Sequence, residues 1–213
     1  MTRVKICGVR SPAVAEHVSA VGADALGLVF FGPSPRAIDI DRAVEVAAAV
    51  DPLLTLVGLF VNPDRREVEN TLERCPIDIL QFHGDEDEAF CAQFGKPFFK
   101  AIAMRPDLDL RASTTRFPSA RALLFDAWSD GRSGGTGKTF DWKRLPLNLG
   151  SRWILAGGLS PQNVAGAIKA TNAPVVDVSG GVESSPGVKD VEKIDAFMAA
   201  VRAADERRIE QAS

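Results

Sequence analysis

The chain has 213 residues, of which 46% are hydrophobic and 25% are charged, a composition typical of a globular protein with a substantial core. Its net charge of -3 argues against nucleic acid as a partner, because a phosphate backbone attracts clustered positive charge. An odd number of cysteines, and the lack of apolar runs typical of a signal peptide or membrane span, predict a cytoplasmic protein that does not bind membranes. We therefore expect a small molecule as the ligand.

Short apolar segments with the composition of β-strands recur along the chain and alternate with helical patterns. The predicted strand cores are residues 4–6, 25–30, 55–61, 77–82, 97–103, 122–125, 153–156 and 175–178. The predicted helices are residues 12–21, 42–50, 64–74, 86–94, 160–170 and 191–203, with weaker helical patterns after the fifth and sixth strands. This alternation predicts a parallel sheet built from strand–helix units.

Three of the helices have a capping residue followed by proline near their predicted start. These pairs are Ser11-Pro12, Asn62-Pro63 and Ser160-Pro161. The capping side chain satisfies an amide that the helix leaves unpaired, and proline fits the first turn because no amide is needed there. The three pairs therefore indicate where these helices begin.

The predicted strand–helix units use nearly all of the chain, and no linker rich in proline, glycine or serine divides it. We therefore predict a single (β/α)8 TIM barrel of minimal length over residues 1–213, with a frayed polar tail from about residue 205. An open doubly wound sheet has the same local pattern of strands and helices, and it remains as the alternative.

Polar residues and glycines follow the predicted strands, at the end of a barrel where barrel enzymes carry their chemistry. In chain order these segments are Cys7-Gly8, Ser34-Pro35-Arg36, Asn62, His83-Gly84-Asp85, Met104-Arg105, Asp126, Gly157-Gly158 and Ser179-Gly180-Gly181. The last two are glycine-rich turns after the seventh and eighth strands, where barrel enzymes commonly bind phosphate through backbone amides. The alternative is that these glycines only make tight turns.

A further glycine-rich segment, Gly134-Gly135-Thr136-Gly137, follows the sixth predicted strand and could close over a ligand. Its continuation into Lys138-Thr139 resembles a nucleotide-binding P-loop, but Arg132 holds the position of the required first glycine. No Gly-x-Gly-x-x-Gly follows the first strand, so a dinucleotide site has no support. The two histidines lie far apart and no cysteines have Cys-x-x-Cys spacing, so we expect neither a metal nor a cofactor.

Seven short segments, taken in their order and spacing, carry a resemblance to a known family. They are Lys5-Ile6-Cys7-Gly8, Ser34-Pro35-Arg36, Gln81-Phe82-His83-Gly84, Asp126, Gly134-Gly135-Thr136-Gly137, Ala156-Gly157-Gly158-Leu159 and the segment from Asp177 to Glu183. Together they resemble the phosphoribosylanthranilate isomerases, from residue 3 to about residue 190. The chain departs from the family pattern at Gly180, where many relatives have serine, and at Ala37, where they often have tyrosine.

The resemblance implies a cofactor-free Amadori rearrangement of N-(5-phosphoribosyl)anthranilate to an open-chain 1-deoxyribulose 5-phosphate adduct, a step of tryptophan biosynthesis. It assigns Asp126 as the acid that protonates the furanose ring oxygen and Cys7 as the base that removes the proton from the adjacent sugar carbon. It also assigns Arg36 to the carboxylate of the anthranilate. The other substrate-binding residues that it implies are Gly134, Gly135, Gly157, Gly158, Asp177, Ser179, Gly180 and Gly181. We expect the protein to act on this phosphoribosyl substrate as a monomer or as a homodimer.

Each assigned role needs a particular environment. Asp126 must be held protonated by burial or by a nearby negative charge, and the apolar residues before it are compatible with burial. Cys7 must lose its proton, which nearby positive charge favours, and Lys5 lies two residues earlier on the same face of the strand. His83 is expected to have a structural role at the barrel mouth, because the two assigned residues complete the chemistry.

Simpler or different interpretations remain open. A cysteine at a strand end is usually a small buried residue, an aspartate there is usually a cap or turn residue, and an arginine is usually a surface charge. Another phosphate-binding barrel enzyme, such as an indoleglycerol-phosphate synthase or a lyase that forms a Schiff base, would need a catalytic lysine or a Glu–Lys arrangement at strand ends. A barrel that binds a sugar phosphate without converting it would need no acid–base pair.

Overall fold

The structure, a computed structural model, describes residues 1–127, 139–145 and 152–210. Eight parallel strands pair in chain order, and the first strand also pairs with the eighth, so the sheet closes on itself as a barrel. The predicted TIM-barrel fold is therefore confirmed. The open doubly wound sheet is wrong, because such a sheet would leave two edge strands without a neighbour.

The barrel strands lie close to the predicted segments. They are β1 (Arg3–Cys7), β2 (Ala25–Phe30), β3 (Thr55–Phe60), β4 (Ile79–Phe82), β5 (Phe98–Ala103), β6 (Ala122–Asp126), β7 (Trp153–Leu155) and β8 (Val175–Val178). The fourth strand begins later than the predicted residue 77. The reason is a local turn in which the amide of Ile77 donates to the carbonyl oxygen of Cys75 at 2.8 Å, so that Ile77 precedes the ladder.

Helices connect the strands and cover the outside of the barrel. They are α1 (Pro12–Ala20), α2 (Ile40–Ala48), α3 (Arg65–Arg74), α4 (Glu88–Ala92), α5 (Leu110–Thr115), α6 (Val164–Thr171) and α7 (Val191–Glu210). Between β6 and β7, the described residues contain a 3₁₀ helix at Trp142–Arg144. In the part of the chain that the structure describes, no helix is both long enough and apolar enough to cross a membrane.

The predicted start of α1 is confirmed, whereas α3 begins later than the proline signal indicates. α1 begins at Pro12. α3 begins at Arg65, because the carboxylate of Asp64 caps the helix by accepting from the amide of Glu67 at 2.8 Å. Asn62 has a left-handed φ of 47° and belongs to the preceding turn. The Asn62-Pro63 pair therefore lies in the turn between β3 and α3 and does not start the helix.

The start of α6 also differs from the prediction. This helix begins at Val164, with Asn163 as its capping residue. The Asn163 side chain holds the preceding turn: its Oδ1 accepts from the amide of Ser160 at 2.8 Å, and its Nδ2 donates to the carbonyl oxygen of Gly158 at 2.9 Å. The Ser160-Pro161 pair therefore lies in the turn between β7 and α6.

The last helix extends into the segment predicted as the tail. α7 continues to Glu210, and the buried Asp205 carboxylate accepts from the Thr2 hydroxyl at 2.8 Å. This contact ties the last helix to the residue that precedes β1. Residues 205–210 of the predicted tail therefore belong to α7, residues 211–213 lie outside the described ranges, and fraying of the tail stays a prediction.

Strand alternation separates the layer that faces the helices from the barrel interior. In β4, the ring of Phe82 packs against Phe90 and Phe94, with ring centroids 5.8 Å and 5.9 Å away. Because successive side chains of a strand point to opposite faces, the flanking Gln81 and His83 share the other face. Gln81 is fully buried. The pattern of the sequence thus places polar side chains inside the barrel.

Candidate active site

Cys7 and Asp126 occupy equivalent positions in the barrel. Cys7 is the last residue of β1, and Asp126 is the last residue of β6. Because the eight strands are parallel, both residues lie at the carboxyl rim, where barrel enzymes place their catalytic groups. Both are buried, with exposed fractions of 4% and 7%. The fold therefore brings the predicted acid and base to the same end of the barrel.

A buried ion pair lies next to Cys7. Lys5 Nζ donates to Asp177 Oδ1 at 2.9 Å, and the two residues are register partners on β1 and β8. Gly27 on β2 makes room for this arrangement: a Cβ there would lie 2.8 Å from Cys7 Sγ and 3.1 Å from Lys5 Nζ. Because Gly27 has no side chain, the thiol of Cys7 and the ammonium of Lys5 both fit against its backbone. Asp177, expected to bind substrate, holds Lys5 in the structure.

The electrostatic environment of Cys7 meets the expectation only in part. Burial raises the pKa of the Cys7 thiol above its ordinary value, and the ammonium groups of Lys5 and Lys189 offset only part of that rise. Burial would lower the pKa of Lys5, but Asp177 and Cys7 raise it overall. Lys5 also forms an ion pair with Asp177. Lys5 therefore favours the thiolate, as expected, but burial outweighs this effect and leaves the pKa of Cys7 raised.

Asp126 contacts His83, which in turn contacts Gln81. Nε2 of His83 lies 3.0 Å from Asp126 Oδ2, and Nδ1 lies 3.2 Å from Gln81 Nε2. Because an amide nitrogen can only donate, Nδ1 accepts, and Nε2–H donates to the carboxylate. On the opposite side, a Cβ at Gly157 would lie 2.9 Å from Asp126 Oδ1. His83 therefore touches the predicted acid, and the expectation of a purely structural role is incomplete.

A second buried ion pair fixes the loop that follows His83. Lys100 Nζ donates to Glu86 Oε2 at 3.0 Å and to the carbonyl oxygen of Gly84 at 2.6 Å. The Glu86 carboxylate also accepts from the amides of Gly84 at 2.9 Å and Asn62 at 2.7 Å. Since the two charged groups are paired and hydrogen-bonded, their burial is compensated. This network holds the imidazole of His83 towards Asp126.

Arg36 forms a bidentate ion pair with Glu183. Its Nε donates to Oε1 at 2.8 Å, and its Nη2 donates to Oε2 at 2.7 Å. The arginine packs closely on Gly8, where a Cβ would lie 3.0 Å from Arg36 Cδ. A guanidinium has five N–H donors in a planar fork, so the edge formed by Nη1 and Nη2 still offers donors to a second carboxylate. The predicted contact with the anthranilate carboxylate requires this second edge.

Lys189 is a residue of the site that the sequence did not predict. Its Nζ donates to Glu183 Oε1 at 2.7 Å and to the carbonyl oxygen of Ser179 at 3.0 Å, and its side chain is 2% exposed. The Ser179 hydroxyl donates to the carbonyl oxygen of Cys7 at 3.0 Å. Lys189 lies on a short hairpin of β9 (Glu183–Ser185) and β10 (Val188–Lys189). Glu183 closes a segment of the family pattern, but no strand pattern in the sequence predicts this hairpin.

The two glycine turns contact each other at the rim. Gly157 and Gly158 have positive φ angles of 85° and 64°, and Gly180 and Gly181 begin a 3₁₀ helix. A Cβ at Gly181 would lie 1.9 Å from the carbonyl oxygen of Leu159. The first amides of a helical turn have no partner within the turn. The turns after β7 and β8 therefore form one surface to which backbone amides contribute.

Two predicted features lie outside the described residues. The glycine-rich loop with Gly134 and Gly135 is one of them, and the P-loop-like continuation at Lys138 is the other. The closure of the glycine-rich loop over a ligand remains a prediction, whereas the P-loop interpretation fails in the sequence itself at Arg132. Within the described ranges, no group of three or more His, Cys, Asp or Glu side chains is arranged to hold a metal ion.

Comparison with known proteins identifies the family. The model of the family described as N-(5'phosphoribosyl)anthranilate (PRA) isomerase matches residues 4–200. The N-(5'-phosphoribosyl)anthranilate isomerase of Neisseria gonorrhoeae is 52% identical over 197 residues, which are 92% of this chain and 95% of the relative. The crystal structure of phosphoribosyl anthranilate isomerase from Thermotoga maritima has a TM-score of 0.85 and 32% identity, covering 95% of this chain and 100% of that one.

A further structure of this family contains a ligand. It is a phosphoribosyl anthranilate isomerase in complex with reduced 1-(o-carboxyphenylamino)-1-deoxyribulose 5-phosphate. It has a TM-score of 0.83 and 30% identity, and it covers 95% of this chain and 100% of that one. The resemblance inferred from the seven sequence segments is confirmed by the match over nearly the whole chain. The chain therefore belongs to the N-(5'-phosphoribosyl)anthranilate isomerase family.

Proposed function

We propose that the chain converts N-(5'-phosphoribosyl)anthranilate to 1-(2-carboxyphenylamino)-1-deoxyribulose 5-phosphate in tryptophan biosynthesis, with Asp126 as the acid and Cys7 as the base. The observation that carries the proposal is the position of both residues at the carboxyl rim of a barrel of this family. The reaction is an isomerisation, so it needs one proton donor and one proton acceptor but no oxidant or reductant.

The proposed chemistry begins at the furanose ring. Asp126 donates a proton to the ring oxygen, the bond between this oxygen and C1 breaks, and the nitrogen lone pair forms an iminium with C1. Cys7 then removes the proton from C2, and the electron pair of that bond neutralises the iminium to give an enolamine. The enolamine loses its hydroxyl proton and gains a proton at C1, which yields the ketone. The two protein groups return to their starting states when the proton from Cys7 is passed back.

Arg36 is the proposed ligand of the anthranilate carboxylate, through the guanidinium edge that Glu183 leaves open. Replacing Arg36 with alanine is expected to raise the KM by about tenfold to a hundredfold, the range for losing hydrogen bonds to a charged group, with a smaller effect on kcat. Steady-state kinetics on Arg36→Ala and Arg36→Lys measure the effect. Lysine keeps the charge but not the planar fork, so it should restore only part of the affinity.

An analogue of the product with aniline in place of anthranilate provides the control for Arg36. It lacks the carboxylate, so wild type and Arg36→Ala should bind it with nearly equal affinity in calorimetry. Equal loss of affinity for this analogue and for the complete product analogue would contradict the pairing of Arg36 with the carboxylate.

The substrate phosphate is proposed to bind at the two glycine turns, Gly157-Gly158 and Gly180-Gly181. Support comes from their contact with each other and from their place after β7 and β8, where barrels commonly bind phosphate. Backbone amides approach an anion closely where glycine removes the side chain, and they need no lysine or arginine. We propose that Ser179 belongs to this group, since it immediately precedes the second turn.

Gly181→Ala tests the phosphate site. The added Cβ would meet the Leu159 carbonyl oxygen, so the two turns must separate, and affinity for inorganic phosphate should fall about tenfold or more. Gly166→Ala is the matched control, because a Cβ at Gly166 meets nothing within 4 Å among the described residues. Calorimetry with unchanged unfolding transitions reports the affinities. Phosphate binding of Gly181→Ala at wild-type strength would contradict the proposed site.

The proposed activity is tested by fluorescence. The anthranilate adduct formed in situ should lose its emission when the protein is added, because isomerisation removes the fluorescent species. Binding of the adduct without loss of emission would support a barrel that does not convert its ligand. A mass increase after borohydride reduction of the mixture would support a lyase that forms a Schiff base with a lysine.

The setting of the proposed reaction follows from the remaining observations. All three cysteines are free, in keeping with the proposed cytoplasmic location. We propose that the chain works without a metal or cofactor, as a monomer or a homodimer. Sedimentation of the purified protein distinguishes these two states.

A further inference from the structure

The β9–β10 hairpin holds a buried carboxylate that the proposed chemistry does not use. Oε1 of Glu183 accepts from Arg36 Nε at 2.8 Å and from Lys189 Nζ at 2.7 Å. Its Oε2 accepts from Arg36 Nη2 at 2.7 Å and from the amide of Gly187 at 3.2 Å. Burial would raise the pKa of Glu183, but Arg36 and Lys189 lower it overall. Glu183 is therefore a carboxylate with hydrogen bonds to both oxygens.

The same hairpin packs on the loop that carries Arg36. A Cβ at Gly187 would lie 2.1 Å from the carbonyl oxygen of Pro35, and the φ of Gly187 is +83°. Only glycine fits such a close backbone contact with this conformation. The hairpin thus fixes Arg36 through its backbone at Gly187 and through its side chain at Glu183.

The ammonium of Lys189 connects this hairpin to the predicted base. Besides its bond to Glu183, Nζ donates to the carbonyl oxygen of Ser179 at 3.0 Å and lies 3.3 Å from its hydroxyl oxygen. Ser179 donates through this hydroxyl to the Cys7 carbonyl at 3.0 Å. Lys189 and Cys7 also interact electrostatically. The Lys189 ammonium is therefore bonded to the partner of Arg36 and interacts electrostatically with the thiol.

The charges around the thiol do not cancel in the described part of the chain. The charged side chains packed there are three cations and two carboxylates, namely Lys5, Arg36, Lys189, Asp177 and Glu183. Lys5 is paired with Asp177, and Arg36 is paired with Glu183 through both carboxylate oxygens. One positive charge remains when the thiol is protonated. A thiolate at Cys7 would bring the net charge of the cluster to zero, which offsets part of the cost of burying the thiolate.

We propose that Lys189 is a positioning residue for the isomerisation, which anchors the Glu183–Arg36 pair and supplies the counter-charge of deprotonated Cys7. The proposal rests on the proposed function, since it assumes Cys7 as the base. It adds that one residue, Lys189, both supports the residue proposed to bind the anthranilate carboxylate and affects the protonation of the base. A carboxylate bound at the open edge of Arg36 would share the guanidinium with Glu183, and Glu183 also accepts from Lys189.

The test measures the ionisation of Cys7 in the ligand-free protein. Thiolate absorbance in the ultraviolet is titrated against pH for each variant, and the spectrum of the same variant with Cys7→Ala is subtracted to remove the other two thiols. Lys189→Met should lower the thiolate fraction about tenfold at any pH below the midpoint, which corresponds to one pKa unit. Glu183→Gln should raise that fraction, because the ammonium then lacks its carboxylate. Lys189→Arg should restore the wild-type value.

Lys193→Met is the matched control. Lys193 also bonds to Glu183, donating at 2.7 Å, but to its backbone carbonyl oxygen. Lys193→Met should titrate like the wild type, because it removes a lysine of α7 that bonds to the hairpin without changing the charge beside Cys7. A merely structural hairpin would give shifts of the same sign in Lys189→Met and Glu183→Gln. That result, or a wild-type titration of Lys189→Met, would overturn the proposal.

Separate measurement of kcat and KM completes the test of Lys189. Lys189→Met should lower kcat about tenfold at neutral pH and also raise the KM, whereas Lys193→Met should change neither by more than twofold. If Lys189→Met does not fold, Lys189→Gln gives the same comparison with a polar side chain. The titration needs no substrate. A failure of the fluorescence assay in wild type would thus contradict the proposed function, while unshifted titrations would contradict only the role of Lys189.

Discussion

Replacing Cys7 with alanine is expected to lower turnover by about a hundredfold to ten-thousandfold, the contribution of a general base, while a product analogue still binds. The reason is that alanine removes the thiol at the end of β1, which is the proposed proton acceptor. Turnover is measured by loss of anthranilate-adduct emission, and binding is measured by calorimetry.

Cys75→Ala provides the matched control for this substitution. Cys75 is equally buried, but it lies at the end of α3, and burial raises the pKa of its thiol to about 11. The control loses the same atoms from the core without touching the rim, so its kcat should equal that of the wild type. A Cys7→Ala protein with a near wild-type rate would remove Cys7 from the proposed mechanism.

The barrel could be predicted because its signals are repeated and local. Each unit has an apolar strand segment with a polar residue or a glycine at its end, as in Cys7 after Ile6 and Asp126 after Phe125. Closure of the sheet follows when eight such strands lie in parallel order. Helix starts were less predictable. At Asn62 and Ser160 the capping signal was present, but the helices begin later, at Arg65 after the cap Asp64 and at Val164 after the cap Asn163.

The predicted site residues are those with a local signal at a strand end, and the missed ones act over long sequence distances. Arg36 could be predicted from its segment, but its partner Glu183 lies 147 positions later. Lys189 depends on a short hairpin without a strand pattern, and Gly27 matters only because Cys7 and Lys5 fill the space beside it. Such contacts arise from tertiary packing, so they could not be predicted from periodicity.

Asp126 has partners that can support either of its protonation states. As a carboxylate it accepts from His83 Nε2–H, while Nδ1 of the imidazole accepts from the Gln81 amide. As an acid it would donate to Nε2, and Nδ1–H would then donate to Gln81 Oε1. That buried oxygen has no partner among the described residues, so it is free to accept after the amide turns. A neutral imidazole can thus serve both forms by exchanging its two tautomers.

Asp126→Asn is expected to abolish most of the turnover, by about a hundredfold to ten-thousandfold, because asparagine keeps the shape but cannot donate a proton to the ring oxygen. Asparagine can still hydrogen-bond to His83, so the rim should remain in place and a product analogue should bind within a few-fold of the wild type. Emission loss measures the rate. Calorimetry measures the binding.

Asp78→Asn is the matched control for the acid. Asp78 precedes β4 at the opposite end of the barrel, where its carboxylate accepts from the amide of Leu56 at 2.8 Å. It should keep the kcat of the wild type, since the substitution removes a charge far from the rim. Lost binding of the product analogue by Asp126→Asn, with an unchanged unfolding transition, would move Asp126 from proton donation to substrate recognition. A wild-type rate of Asp126→Asn would exclude it as the acid, and His83 would become the remaining proton donor at this position of the rim.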